Sequence, residues 1–420
     1  MWDQFSFFGM RALLVYYMTK QLLISQEHSS YIYGLYSSFV YFTPLVGGVI
    51  SDRWLGRRRA VIIGATIMAL GHFMMAFESL FYIALATIAL GNGLFLPSLA
   101  SQINELYTAN DPRKASAYNI YYVGINLGAF LSPFVCGTVG ELYGWHWGFA
   151  LAGVGMVVGL LTYLAGAHHL PREDAASRAA NRAAVHAPTP ASTYVLLLAV
   201  IAIVVIFRAA YEQSGNTLAL WADTGIERHV GHTSSIPMTW FQSLNPLFIF
   251  LFTPAIVAYW AKRAQRNREP GSVTKMAMGA FVVAVSYLLL AIVAWIDGGE
   301  RASWLWLIFF FLVYTIGELL ILPVGLGLFG KLAPVKLAAT AIAAWFMAAF
   351  FGNLAAGAVG ALWSVVSVPV FFAIVAALAL LSALLLLALA PWAKRAENKQ
   401  ILLATEATHH VAACGADTLH

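Results

Sequence analysis

Five fully charged side chains stand inside runs of residues that are otherwise apolar: Asp3 and Arg11, Arg208 and Glu212, and Glu318. A charge at the centre of a bilayer costs at least about 2.5–3.5 kcal/mol on insertion scales, so such a group normally faces a partner or a wet cavity. The chemistry open to these five is ion pairing, proton exchange on a carboxylate, and recognition of a group of opposite charge. Arg208 and Glu212 are four residues apart and can pair on one helical face. Arg11 follows Asp3 by eight residues, about 12 Å along a helix, and is expected on nearly the same face. One reading makes all of these static pairs that pin helices together. The other notes that they fall in three segments drawn from both halves of the chain, with one positive and one negative group left to meet where the halves touch.

The elements that must position these residues follow from composition. Of 420 residues, 60% are hydrophobic and 10% charged, against about 25% charged in ordinary soluble domains. A bilayer core about 30 Å thick takes about 20 apolar residues per helix. Twelve such segments can be drawn, at about 1–23, 31–50, 60–78, 81–107, 115–138, 146–167, 193–222, 236–261, 273–295, 303–330, 337–363 and 367–392. The chain is thus expected to be an all-α membrane protein with an N-terminal six-helix bundle over 1–167 and a C-terminal one over 193–392. An Ala-, Pro- and charge-rich linker at 168–192 separates them, and a polar, mobile tail at 393–420 follows. Met1 to Leu23 is too long for a cleavable signal, has no small-residue cleavage site, and reads as the first membrane helix. Two cysteines, Cys136 and Cys414, are too few for a disulfide framework.

The net charge of +5 reflects topology rather than a nucleic-acid partner, because the cations sit in short loops beside apolar runs. One set of alternate loops holds Arg53, Arg57, Arg58 and Arg59; Arg113 and Lys114; Arg172, Arg178 and Arg182; Lys262, Arg263, Arg266 and Arg268; and Lys331, Lys336, Lys394, Arg395 and Lys399. The opposite set offers little beyond Arg228 and Arg301, so both termini are expected in the cytoplasm. The halves also echo each other. LGNGLFLP, ending at Pro97, answers IGELLILP, ending at Pro323, and Thr43-Pro44-Leu45 answers Asn245-Pro246-Leu247. Both matches set segment n against segment n+6, as in transporters built from repeats.

Polar and aromatic residues recur in the same segments: Tyr33, Tyr36 and Tyr41; Tyr118, Tyr121, Tyr122 and Asn126; Gln242 and Asn245; Trp345 and Asn353. Each alone is a packing residue or an interhelical hydrogen bond; together they can line a wet central cavity. A cation on one wall of such a cavity and a carboxylate on the other would suit a zwitterion. An intramembrane enzyme is disfavoured, since neither His-Glu-x-x-His nor Gly-x-Ser-x-Gly occurs and no catalytic aspartate pair stands out. No metal site is expected.

Several stretches resemble the proton-dependent oligopeptide transporters of the major facilitator superfamily. GGVISDRWLGRRR (Gly47 to Arg59) looks like the general facilitator signature. More specific to the peptide family are FGMRALL after Phe7, GINLGAF (Gly124 to Phe130), YEQSG (Tyr211 to Gly215), WFQSLNP (Trp240 to Pro246) and GELLILPVGL (Gly317 to Leu326). The resemblance implies a major facilitator fold of 12 transmembrane helices in two six-helix bundles. It further implies symport of di- and tripeptides with protons, without other cofactors, by a single chain in the plasma membrane, the inner membrane if bacterial. Arg11 would bind the peptide carboxylate and Glu318 the amine; Asn126 and Asn245 would bond the peptide backbone, with Tyr33 and Tyr41 nearby and Trp345 in a side-chain pocket. Arg11 with Glu212 would close the outer side, and Glu318, Asp3 and Glu212 are the candidate proton carriers.

The chain departs from the family pattern at four places. Asp3-Gln4-Phe5 stands where Glu-Arg-Phe is usual, and Leu96 where a Lys is usual. Arg208 stands where Trp is more frequent; it either replaces the missing Lys, pairing with Glu318 or Glu212 and exchanging partners as protons and peptide bind, or simply neutralises Glu212. The 168–193 link has no room for the two extra helices of many prokaryotic members. A carrier of nitrate, drugs or other small anions is the alternative within the class, and a transport-inactive peptide sensor a further one.

Overall fold

The computed structural model of the chain describes residues 1–106, 113–170, 191–230, 234–332 and 338–417. Twelve long helices occur among them: α1 (Trp2–Tyr16), α2 (Gln26–Ile50), α3 (Arg57–Met74), α4 (Phe81–Glu105), α5 (Arg113–Ser132), α6 (Trp145–Gly166), α7 (Ala191–Tyr211), α8 (Leu244–Gln265), α9 (Ser272–Ile296), α10 (Leu305–Leu332), α11 (Ala338–Ala361) and α12 (Val368–Asp417). Ten spans are long and apolar enough to cross a membrane. The two long helices outside that set are α1, with Asp3 and Arg11, and α3, which opens on Arg57-Arg58-Arg59. Charge lowers their hydropathy, yet each packs against helices of its own half. Most of the linker (171–190, with Arg172, Arg178 and Arg182) and Lys336 lie outside the described residues.

Packing repeats with a shift of six. In the first half α3 packs on α4 and α6, α1 on α5 and α6, and α2 on α4; in the second α9 packs on α10 and α12, α7 on α11 and α12, and α8 on α10. The halves meet along α2–α11 and α5–α8, and the same shift turns either of these contacts into the other. Two six-helix bundles related by an approximate two-fold axis produce this pattern. The Pro97/Pro323 echo holds in the structure, since both prolines lie inside their helices, α4 and α10. The Pro44/Pro246 echo does not: Pro44 sits deep in α2, whereas Pro246 occupies the first turn of α8, whose interior proline is Pro254. Proline in a first turn forfeits no helical hydrogen bond, so it carries no information about depth along a helix.

The α2–α11 contact is close enough to need glycine. A Cβ on Gly34 would lie 2.7 Å from both the Asn353 carbonyl oxygen and the Gly357 Cα, so the backbones could not approach as they do.

The tail expected at 393–420 is helical where described, because α12 continues past Pro391 to Asp417. Ala, Glu, Lys and Leu in this stretch favour helix. Glu397 also ties it down, accepting from the Ser272 backbone N–H (3.2 Å) at the start of α9.

Met1, the α2–α3 and α8–α9 connections and α12's C-terminal end share one face of the molecule, by the alternation of the helices. On the opposite, far face two short strand pairings occur in the second half: Ile226 beside Ala302 links two connections, and His229 beside Ser235 lies within one. Polar bonds between the halves gather from the middle of the bundle to this far face. Tyr16 donates to the Ala219 carbonyl (2.7 Å), Gln26 to the Gly360 carbonyl (2.9 Å) and Trp240 to Thr138 (2.7 Å), while Ser30 bonds Asn216 (3.1 and 3.2 Å). Lys20 pairs with Asp223 (2.6 Å). Ala219, Leu220 and Met238 of the second half are buried in the first half's core. The far face is therefore sealed.

Candidate functional site

A cavity of about 260 Å³ lies between the bundles. Each wall is one face of a helix. From α1 come Gln4, Phe8 and Arg11; from α5 Tyr122, Ile125, Asn126 and Ala129; from α7 and the turn after it Arg208, Tyr211, Glu212 and Gly215; from the turn that leads into α8 Gln242, and from α8 itself Asn245 and Ile249; from α10 Phe311, Glu318 and Leu322; and Tyr41 comes from α2. Spacings of three, four and seven are those of residues stacked along one helical face.

Glu212 is the electrostatic hub. The α-helix ends at Tyr211, residues Glu212–Gly215 form a tighter turn, and a short helix, Thr217–Thr224, resumes beyond it. At this break one Glu212 oxygen accepts from Arg11 (2.8 Å) and the other from Arg208 (2.9 Å). The carboxylate is buried, with only 3% of its side chain exposed. Arg11 is further engaged by the Tyr33 hydroxyl, to which its Nε donates at 2.6 Å. Gly215 permits this: a Cβ there would lie 2.2 Å from the Tyr33 hydroxyl and 3.0 Å from Arg11. The Arg208 guanidinium lies over the rings of Tyr41 (5.2 Å) and Tyr211 (5.9 Å). Two guanidiniums on one carboxylate leave this cluster with a net charge of +1.

Glu318 forms the other pole. It accepts from Asn245 (2.5 Å), which also donates to Thr315 (3.1 Å). Tyr211 faces both this carboxylate and Arg208. The cavity so holds a cationic cluster and a separate carboxylate, held by neutral partners.

The structure brings together Arg11, Tyr41, Asn126, Arg208, Glu212, Asn245 and Glu318. Tyr33 stands behind the wall as the partner of Arg11. Asp3 does not line the cavity; its neighbour Gln4 does, and donates to it at 2.7 Å. The reason is angular. At about 100° per residue, Asp3 lies about 80° round the helix from Arg11, and Gln4 only about 20°. Trp345 is buried against Phe329 (5.4 Å) and Gly325, where α10 meets α11, and is not part of the lining. Gln4, Phe8, Tyr211, Ser214, Gly215 and Phe311 line the cavity without having been singled out as site residues; the helical spacing from Arg11, Glu212 and Glu318 was the signal for most of them. Among the described residues no group of metal-ligating side chains occurs.

Comparison with known proteins agrees with this architecture. A sequence model of the POT family (PTR2) matches residues 58–186 and 179–374. The chain belongs to the POT family. It is 31% identical to the di-/tripeptide transporter of Lactococcus lactis subsp. cremoris over 83% of this chain and 84% of that one. It is also 31% identical to the peptide transporter YePEPT of Yersinia enterocolitica subsp. palearctica, over 86% and 85%. A crystal structure of a peptide transporter POT in complex with sulfate superposes with a TM-score of 0.85 at 28% identity, covering 94% of this chain and 93% of that one. As a POT protein the chain is a membrane transporter with the major facilitator fold, and not an enzyme.

Proposed function

We propose that this POT-family chain imports di- and tripeptides together with protons by alternating access. The observation that carries the reading is the bipolar cavity: guanidiniums clustered at Glu212 on one side, the Glu318 carboxylate on another, and the whole enclosed between two bundles. Every short peptide shares an amine, a carboxylate and an amide backbone. The amine would pair with Glu318, the carboxylate with the arginine cluster, and Asn126 and Asn245 would bond the backbone between them. Holding only what peptides share leaves their side chains to the aromatic parts of the wall. Relatives named as di-/tripeptide transporters support the substrate class.

Coupling follows from charge. A proton on Glu318 cancels its pull on the substrate amine, and one on Glu212 releases Arg11, which joins the halves. Protons and substrate together thereby bias which face is open. Arg208 would exchange partners among Glu212, Glu318 and the arriving peptide carboxylate as protons and peptide bind. The abundance of Lys and Arg on the Met1 face supports the reading that this face, with both termini, would lie in the cytoplasm, the membrane being the plasma membrane, or the inner membrane in a bacterium. A single chain suffices, because the cavity is built within it.

The test is uptake of labelled dialanine by the reconstituted protein in liposomes. Accumulation above equilibrium with an inward proton gradient, and only equilibration without one, is the expected result. No uptake of any di- or tripeptide under either condition would overturn the proposal.

A further inference from the structure

The two arginines of the cavity are differently occupied. Arg11 spends its Nε on Tyr33 and an Nη on Glu212, and its guanidinium lies between the rings of Phe8 (5.8 Å) and Tyr33 (5.6 Å). Arg208 donates to Glu212 and lies beside the Tyr41 hydroxyl, and its buried Nε has no partner. A guanidinium has five N–H donors, and a buried donor without an acceptor costs free energy until a ligand supplies one. Arg208 is 94% buried, being 6% exposed, and it lines the cavity.

Attachment also differs. Arg11 holds Glu212 across the two halves, so this bond must break when the far face opens. Arg208 holds it from four residues away in the same half, at the end of α7, so the swing alone does not break that bond. The stem of Arg208 is seated on α11: a Cβ on Gly352 would lie 2.4 Å from the Arg208 Cβ, so only glycine leaves room for it. Glu318 and Asn245, the opposite pole, belong to the same half as Arg208.

We propose that Arg208, and not Arg11, receives the carboxylate of the transported peptide, so that both ends of the substrate are held by the C-terminal bundle throughout the cycle. This rests on the peptide reading above. Arg11 then serves as the latch that reports occupancy: a carboxylate arriving at Arg208 competes for the positive charge that holds Glu212, and leaves the carboxylate to Arg11 alone. Closure of the far face is thereby linked to the acidic end of the substrate.

The experiment measures equilibrium binding to the purified full-length protein by calorimetry, with two ligands: dialanine and its C-terminal amide, which lacks the carboxylate. Arg208→Gln leaves Glu212 paired with Arg11, so no buried carboxylate is orphaned; Arg208→Lys keeps the charge and serves as the second variant. The expected result is a Kd for dialanine raised about ten- to hundredfold by Arg208→Gln, with the amide's Kd changed less than about twofold, and partial recovery for dialanine in Arg208→Lys. Equal weakening of both ligands would make Arg208 a positioning residue and overturn the assignment. So would a carboxylate-selective loss in Arg11→Gln with none in Arg208→Gln. Wild-type protein that melts cooperatively yet binds neither ligand would instead sink the peptide reading, and this assignment with it.

Discussion

At the cavity, Arg11 meets Glu212 with 16% and 3% of their side chains exposed; at the far rim, Lys20 meets Asp223 with 42% and 13% exposed. Both pairs join the same two bundles. The rim pair continues through Asp223 and Arg228 (3.3 Å) to Glu141 (4.0 Å), a string of charges at the edge of the seal. Water and salt screen the rim, whereas removing a partner in the cavity leaves a buried charge uncompensated. On the proposed reading the cavity charges would couple substrate and protons to the far-face seal, and the rim charges would adjust how firmly that seal shuts. Glu141 is intermediate, because its carboxylate accepts from the backbone N–H groups of Met238 (3.1 Å) and Thr239 (3.0 Å) and from the Thr239 hydroxyl (2.8 Å), all in the other half.

The comparison breaks most visibly at Glu212. Glu212→Gln leaves Arg11 and Arg208 side by side with no anion between them, and is expected to disfavour the far-closed state by about 3–5 kcal/mol. Spin labels on Leu23→Cys and Val365→Cys, exposed far-face positions in opposite halves, should report a longer and broader distance distribution. Glu141→Gln should shift the same distribution less, by about 1–3 kcal/mol, since an amide oxygen still accepts from part of the N–H cluster. Lys20→Ala is the smallest change, about 0.2–1 kcal/mol. Its effect should vanish in 1 M salt, where the screening length is about 3 Å, while that of Glu212→Gln should persist.

The sequence made some of this legible. The Arg208–Glu212 pair follows from a spacing of four on one element, and the two-bundle architecture from the count, length and charge bias of the apolar segments. Arg11 with Glu212 was different: the two residues are 201 positions apart, and only the resemblance to a family joined them. Asp3 is expected on nearly the same face as Arg11, but a spacing of eight turns it about 80° away, and Gln4, at a spacing of seven, takes the place on the cavity wall. Trp345 carries no signal in sequence that separates a pocket wall from a core contact between α10 and α11. The rim charges were invisible for another reason. Lys20, Glu141 and Asp223 lie near helix ends and Arg228 between two short strands, where charge is ordinary, and only the closed arrangement brings them into one string.

Glu318 is the proposed coupler of protons to peptide movement. This role is tested most directly by loading liposomes with wild-type protein or Glu318→Gln and following labelled dialanine under an inward proton gradient. The account predicts gradient-driven accumulation in the wild type and its loss in the variant. Accumulation undiminished in Glu318→Gln would contradict it.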